Sequence, residues 1–351
     1  MDITPYLKLM VEKNASDLFF TVGSPVKIKI EGKATAVGKT ILTTDLSRAA
    51  AFGIMNDHQV HHFEETMECD FAIHMPDGSG RFRVNVFRQR GDVGMVLRLI
   101  PSKIPTFEKL GVPDVLKELI MHKRGLILMV GATGSGKSTT LAAMINHRNE
   151  NMTGHILTIE DPVEFSHPNL KSIVNQREVG VDTLTYRNAL RASLREAPDV
   201  ILIGEIRDRE TMEAALELSN TGHLAVSTLH ANNANQAMER VINLFPQALH
   251  KQLFMDLSLN IRAVISQRLV LGVDGKRCAA IEIMVNTPHI SELILKGDID
   301  EIKIAMEESG QRGMQTFDRA LFNLYKEGRI VLEEALSNAD SRTNLEARIN
   351  F

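Results

Sequence analysis

The chain has 351 residues, with 40 Lys plus Arg against 44 Asp plus Glu and a formal net charge of −4. Hydrophobic residues make up 44% and charged residues 24%, which suits a soluble globular protein and excludes a disordered one; at roughly 100–200 residues per domain, two domains are expected. The near-neutral balance excludes a global basic field, and so disfavours a chain that lives on nucleic acid, while Cys69 and Cys278, the only two cysteines and without a CxxC spacing, exclude a disulfide scaffold and a cysteine zinc site.

The start of the chain, Met1-Asp2-Ile3-Thr4-Pro5, is acidic and broken by a proline, unlike a signal peptide. No apolar run approaches the ~18–20 residues that span a bilayer, so contact with a membrane is expected only through partners. The two thiols are expected reduced, in cytosol. The first hundred residues read as an α+β unit. Short strands are expected at Leu18–Val22 and Val26–Ile30, helices at Leu46–Asn56 and His58–Thr66, and a hairpin from Cys69–Met75 to Arg81–Gln89 around Pro76-Asp77-Gly78-Ser79-Gly80. A further strand, Val93–Leu99, completes an antiparallel sheet. Pro101 and Pro105 mark a linker. The expected division is therefore a first domain over 1–100, a linker over 101–110 and a second domain over 111–351. In the second domain apolar runs at Leu126–Val130, Ile156–Ile159, Val200–Ile203 and Leu224–Thr228 alternate with helical stretches, the pattern of an α/β domain with a mainly parallel sheet covered on both faces. A long helix is expected from Leu249 to about Gln267, then a hairpin from Arg268–Gly272 to Arg277–Val285 around Asp274-Gly275, and a polar helical tail from Thr316.

The run Gly131-Ala132-Thr133-Gly134-Ser135-Gly136-Lys137-Ser138 matches GxxxxGK[ST] at every fixed position. It follows an apolar strand and opens a helix beginning Thr139-Thr140. Its glycines let successive backbone N–H groups turn inward, and with the helix N-terminus they cradle anionic oxygens. Lys137 can neutralise the β- and γ-phosphates of a nucleoside triphosphate, and the Ser138 hydroxyl can reach Mg²⁺. ATP and Mg²⁺ are therefore the expected ligands.

A phosphate loop binds nucleotide but does not activate water, so a carboxylate from a neighbouring strand end is needed. In open parallel sheets the ligand lies beyond the C-terminal strand ends. Glu205, after Val200–Ile203 and Gly204, is the first choice for polarising the attacking water; Glu160 and Glu164 are the choices for holding Mg²⁺ or an ordered water, with Glu205 a further metal candidate. Asp199 starts its strand, roughly 20 Å from Glu205 at ~3.3 Å per residue, and is excluded from the metal side. His230, at the C-terminal end of Leu224–Thr228, can sense the γ-phosphate; His223, at the opposite end, suits a contact between elements or subunits. Arg81 and Arg83 share one face of their strand and Arg98 lies on the next. Two adjacent guanidiniums repel unless an anion is near, so they form either a solvated face or one that reaches phosphates bound elsewhere in an oligomer. Arg191, Arg195 and Arg207 are further candidates for charge compensation.

With these motifs in order, the chain resembles the secretion-ATPase superfamily, and within it the PilT/PilU type IV pilus retraction ATPases. The resemblance rests on Gly131–Ser138, the acidic run Thr158–Glu164, the run Val200–Glu205 continuing as Ile206-Arg207-Asp208, and the histidine-bracketed run Thr221–His230. It extends over essentially all 351 residues, and Glu196-Ala197-Pro198-Asp199 with His230–Arg240 leans to the PilU branch. It implies a PAS-like N-terminal domain and a RecA-like ATPase domain, with subunits in a cytoplasmic hexamer peripheral to the inner membrane. It also implies Arg81, Arg83 and Arg98 facing phosphate, a PilT-like companion, and an inner-membrane platform protein as the load. His223, Arg207 and Thr139 are further expected in the nucleotide-binding set, and Arg195 and His230 in the catalytic one. Pilus-assembly and type II secretion motors resemble longer chains, often with a tetracysteine insertion. A weakly hydrolysing interaction subunit is the alternative from another class.

Overall fold

The computed structural model describes every residue except 31, 76, 102, 310–312 and 351. Pro76 of the expected hairpin, Ser102 of the expected linker and the terminal Phe351 thus lie outside the described residues. The chain forms two compact units. The first is Met1–Lys103 with Pro162–Ser166 and Glu178–Leu184; the second is Ile104–Asp161, His167–Arg177 and Thr185–Phe351.

The first unit contains α1 (Thr4–Glu12), β1 (Asp17–Phe20), β2 (Pro25–Ile30), β3 (Lys33–Ile41), α2 (Thr44–Phe52), α3 (Asp57–Thr66), β4 (Glu68–His74), β5 (Arg81–Gln89) and β6 (Asp92–Ile100). Its sheet runs β3-β2-β1-β6-β5-β4, with antiparallel pairing throughout. The helices start where polar side chains satisfy their first free N–H groups: Thr43 accepts from the Leu46 N–H, and Asn56 and Gln59 form a capping box for α3. Strand β5 alternates as expected. Phe82, Val84 and Val86 are fully buried beside Phe20, Phe63, Met95 and Leu97, and Arg81, Arg83 and Asn85 fall on the other face. Strand β3 and helix α1 were not read from the sequence. Nearly every β3 residue is exposed, so the strand carries no buried-face alternation to detect.

The second unit contains α4 (Phe107–Leu110), α5 (Val115–Ile120), β7 (Gly125–Val130), α6 (Lys137–Asn151), β8 (Gly154–Glu160), β9 (Ser172–Glu178, whose last residue groups with the first unit), α7 (Tyr186–Ser193), β10 (Val200–Ile203), α8 (Arg209–Asn220), β11 (Leu224–Leu229), α9 (Ala234–Asn243), α10 (His250–Asn260), β12 (Ile261–Leu271), β13 (Arg277–Val285) and α11 (Pro288–Lys296). It ends in α12 (Ile302–Glu308), α13 (Phe317–Lys326), α14 (Leu332–Asn338) and α15 (Arg342–Asn350). The sheet order is β13-β12-β7-β11-β10-β8-β9. Strands β12, β7, β11, β10 and β8 are parallel, and β13 returns antiparallel to β12. Every residue of β7 and β10 is buried, as expected for strands covered on both faces.

One expectation needs correction. The long helix from Leu249 to Gln267 ends at Asn260, and Ile261 begins a strand. Asn260 closes the helix by donating to the Asp256 carbonyl at 2.8 Å and to the Asn220 side chain at 2.7 Å. The following residues are buried between β7 and β13. A run buried on both faces has no period that separates strand from helix.

Leu128 is fully buried at the centre of this sheet. Leu128→Ala should cost about 2–5 kcal/mol, read as a lower urea midpoint for the second unit. A midpoint equal to that of the unaltered protein would contradict this placement.

Candidate active site

The phosphate loop joins β7 to α6 at the C-terminal edge of the sheet. Its curl is enforced by crowding. A side chain at Gly131 would bring its first carbon to 2.5 Å from both the Gln267 carbonyl and the Ser135 Oγ, and one at Gly136 would lie 2.8 Å from the Gln267 Nε2. Gly131, Gly134 and Gly136 all have positive φ. Ala132, Thr133 and Gly134 form the exposed tip; Ser138 and Thr139 are half-buried in the first turn of α6. The buried Lys137 ammonium donates to the Gly131 and Ala132 carbonyls at 2.7 and 2.9 Å. The Ser135 hydroxyl is buried and has no hydrogen-bond partner among the described residues. An orphaned hydroxyl, inward-turned amides and the start of a 15-residue helix together fit phosphate oxygens.

Gln267, on β12, was missed by the sequence reading. It is buried, accepts from the Thr140 hydroxyl at 2.8 Å and donates to the Ser135 carbonyl at 2.8 Å. One amide thus spans the loop and the helix that follows it. Arg268, next on the strand, donates to the carbonyls of Asn338 (2.8 Å) and Asn232 (3.2 Å), pairs with Asp340 at 2.6 Å, and stacks 3.9 Å over the Phe317 ring. It thereby fastens the last helices to the β11–α9 turn. Two clefts meet the loop. One of about 680 Å³ is lined by Gly131–Thr133, His230–Asn232 and the α9 side chains Gln236, Glu239, Arg240 and Asn243. The other, of about 600 Å³, is lined by Gly131–Ser135, Gln267–Leu269, Arg277, Glu334 and Asn338 among others. The turn into α9 is held by Glu282, which accepts the Ala234 N–H at 2.7 Å and the Ser266 hydroxyl at 3.1 Å; burial pushes its carboxyl up to about 7.

The strand ends beside the loop bring several expected residues together. Glu205 holds both partners at once: His230 Nε2 lies 3.0 Å from one carboxylate oxygen and Arg207 Nε donates to the other at 2.6 Å. Contact with Glu205 pushes the Arg207 guanidinium up from its ordinary value. Backbone bonds fix the register here, since Gly204 N–H donates to the Ile159 carbonyl and Ile206 N–H to the Thr228 carbonyl, while the Thr228 hydroxyl donates to the Gly204 carbonyl. Glu160 ends β8 and accepts from the Thr158 hydroxyl at 2.6 Å and the Gln176 amide at 3.3 Å. Tyr186, half-buried at the start of α7, was also missed. Its phenol is pushed up first by burial and then by the Asp161 charge, with Arg207 opposing and Glu160 and Glu205 adding to the rise.

Other expected residues lie elsewhere. His223 precedes β11, six residues long, and so sits roughly 20 Å from its C-terminal edge. Its ring meets the Leu218 carbonyl and Thr221 hydroxyl at 3.1 Å, closing the α8–β11 turn; it does not join the nucleotide loop of its own chain. Arg195 and Arg191 are exposed at the far end of α7, on the loop whose Glu196 carbonyl bonds His155 at the start of β8. Arg195 therefore does not join Glu205 either, because α7 runs back towards the opposite edge. Asp199 occupies that edge too, accepting the His155 N–H at 2.8 Å. Glu164 is exposed on Pro162–Ser166, which groups with the first unit rather than with the sheet carrying Glu160 and Glu205.

The first unit answers the arginine question with carboxylates of its own. Arg98, opposite Arg83 in the β5–β6 register, donates to the buried Asp17 at 2.9 Å. Arg83 lies 3.9 Å from Asp70. Arg81 lies 3.7 Å from the buried Glu178, whose carboxylate also accepts the Val163 N–H at 3.2 Å. The Arg81 Nε is buried without a partner among the described residues.

No group of three or more His, Cys, Asp or Glu side chains able to hold a metal ion occurs among the described residues. The donors at the loop, a serine hydroxyl and carboxylates at strand ends, suit a hard cation shared with substrate phosphates rather than an all-protein cage. No helix among the described residues is long and apolar enough to cross a membrane.

Comparison with known proteins places this geometry. Residues 1–337 match the family described as Type II/IV secretion system protein. The type IV pilus ATPase PilU of Pseudomonas aeruginosa is 53% identical over 352 aligned residues, covering 100% of this chain and 92% of that protein. The type IV pilus retraction ATPase PilT of the same organism is 44% identical, covering 97% of this chain and 98% of its own. Among solved structures, the pilus retraction motor PilT with bound ADP superposes with a TM-score of 0.91 at 41% identity, over 99% of both chains.

Gln267→Leu keeps the volume but removes both bonds to the loop. It should weaken nucleotide binding by up to about 30-fold, two ordinary hydrogen bonds at ~1 kcal/mol each, in a fluorescent-nucleotide titration. Affinity equal to that of the unaltered protein would show that the loop holds its shape without the amide.

Proposed function

Since the chain belongs to the family of type II/IV secretion system proteins, we propose that it hydrolyses ATP to power retraction of type IV pili, as a PilU-type motor working beside a PilT-like companion. It is an ATPase. The observation that carries the reading is the convergence on one sheet edge of the phosphate loop with Glu205, itself held by His230 and Arg207.

In this reading the triphosphate lies along the Gly131–Thr139 loop. Backbone N–H groups and the α6 N-terminus face its oxygens, and Lys137 exchanges the Gly131 and Ala132 carbonyls for phosphate. Ser135 gains the partner its buried hydroxyl lacks. Glu205 accepts a proton from the attacking water. A carboxylate offers about four lone-pair directions, so the bonds to His230 and Arg207 orient it without exhausting it. His230 lies on the cleft that meets Gly131–Thr133 and so reports the γ-phosphate to the carboxylate. Mg²⁺, when bound, would be held by the Ser138 hydroxyl with Glu160 or Glu205 nearby, and supplies neutralisation of phosphate charge.

The finer assembly belongs to the same proposal. The subunits form a homo-hexamer in the cytoplasm, peripheral to the inner membrane, and act on an inner-membrane platform protein rather than on nucleic acid. The first domain spans 1–100 and the ATPase domain 111–351, joined by 101–110. Arg83 and Arg98 are half-neutralised by Asp70 and Asp17, and face phosphate across subunits only when these pairs open. Arg81 is the least exposed of the three arginines and lies beside Glu178 of its own unit.

Two substitutions separate binding from chemistry. Glu205→Gln should retain nucleotide and lose turnover by roughly 10²–10⁴-fold, the usual share of a general base, measured by phosphate release; normal release would remove Glu205 from this role. Lys137→Ala should weaken nucleotide affinity by at least about tenfold, the loss expected for a charge-assisted hydrogen bond; unchanged affinity would refute the loop assignment.

A further inference from the structure

A glycine separates the end of β10 from Glu205, and the structure shows what fills the space. A side chain at Gly204 would place its first carbon 2.6 Å from the Tyr186 hydroxyl and 3.2 Å from both the Glu160 Cα and the Ile159 carbonyl. The phenol oxygen thus stands where a residue at the end of β10 would project, in the row of strand ends between Glu160 and Glu205. Helix α7 delivers it there. Thr185 caps the helix by accepting the Asn188 N–H at 3.1 Å, Tyr186 is its first residue, and the helix runs back towards the opposite edge of the sheet.

The chemistry of this position is unusual for an aromatic residue packed against a strand end. The charges of Asp161, Glu160 and Glu205 act against ionisation of the phenol, and Arg207 is the one opposing cation among the groups acting on it. An acid at position 204 would add a further negative charge to this row. A phenol supplies an oxygen in the same place with a proton to donate and no charge. No residue among those described hydrogen-bonds to this hydroxyl, so its donor is available to a group that arrives with the substrate.

We propose that the Tyr186 hydroxyl is a catalytic donor to the attacking water, placing that water against Glu205. The proposal rests on the reading of this edge as the site of ATP hydrolysis. In the step, one lone pair of the water accepts from the Tyr186 O–H and the other attacks the γ-phosphorus. The bond from that phosphorus to the bridging oxygen breaks, ADP leaves with the bonding pair, and the proton lost by the water passes to Glu205. The phenol begins and ends the step protonated. Its contribution is to fix the direction of the water, which is worth most in the transition state.

Tyr186→Phe removes one oxygen and keeps the ring. In the assembled protein, supplied with magnesium and ATP, kcat should fall about tenfold or more, the usual loss for one donor at a reacting centre. KM and fluorescent-nucleotide affinity should stay within about twofold, because binding uses the loop. An unchanged kcat overturns the proposal; so does an effect carried by KM and affinity alone. The geometry has its own readout. Gly204→Ala should lower the melting temperature by driving a methyl into the phenol oxygen, and adding Tyr186→Phe should recover it. If Gly204→Ala is as stable as the unaltered protein, the hydroxyl is not where the proposal needs it. Hydrolysis by the unaltered protein and its loss in Glu205→Gln report on the underlying site separately, so failure of the tyrosine is distinguishable from failure of the site.

Discussion

A single buried amide governs how this protein presents its phosphate loop. Gln267 reaches from β12 to the Ser135 carbonyl and the Thr140 hydroxyl, and the glycines at 131 and 136 exist because the backbone and side chain of that residue leave no room for a Cβ. Buried polar groups of this kind are stable only when fully satisfied. The loop cannot move away from β12 without stranding an amide and a carbonyl. What is usually described as a flexible glycine-rich turn is here a clamped one, with Ser135 left as the unsatisfied hydroxyl inside it.

In both units, carboxylates are held between two cations. Glu205 is bracketed by His230 and Arg207, Asp340 by Arg268 and Lys303, and Asp17 by Arg98 and Lys29. The Arg268 cluster joins β12, the β11–α9 turn and the C-terminal helices through one guanidinium. A shift at the turn that follows His230 is therefore felt by Asn338 and Asp340. In the first unit, Arg81, Arg83 and Arg98 each lean on a carboxylate. Any contact they make with phosphate competes with those partners, and an exchange of ion pairs is a cheaper switch than desolvating a bare charge.

The alternating face of β5 and the continuous apolar runs of β7 and β10 were legible because burial on one or both faces writes itself into residue order. The segment Ile261–Gln267 was misread as helix for the converse reason: buried on both faces, it carries no period. Strands β3 and β9 were invisible because their residues are largely polar or exposed. Counting along strands puts Glu205 and His230 after the ends of β10 and β11 and His223 before the start of β11, and the structure has them there. Arg195 lies past the far end of α7, which no motif marks, because a motif records neighbours along the chain and not the direction in which a helix runs.

The order of residues alone specified the phosphate loop, the strand that precedes it and the acid two places beyond Ile203, because each depends on local geometry and fixed spacing. Only the folded arrangement decided that Gln267 would brace the loop, that Tyr186 would fill the space left by Gly204, and that Arg268 would tie in the last helices. Gln267 lies 127 residues from the Thr140 it binds. Such contacts are selected by packing across the sheet, where volume and hydrogen-bond satisfaction must close together, and no spacing along the chain encodes them.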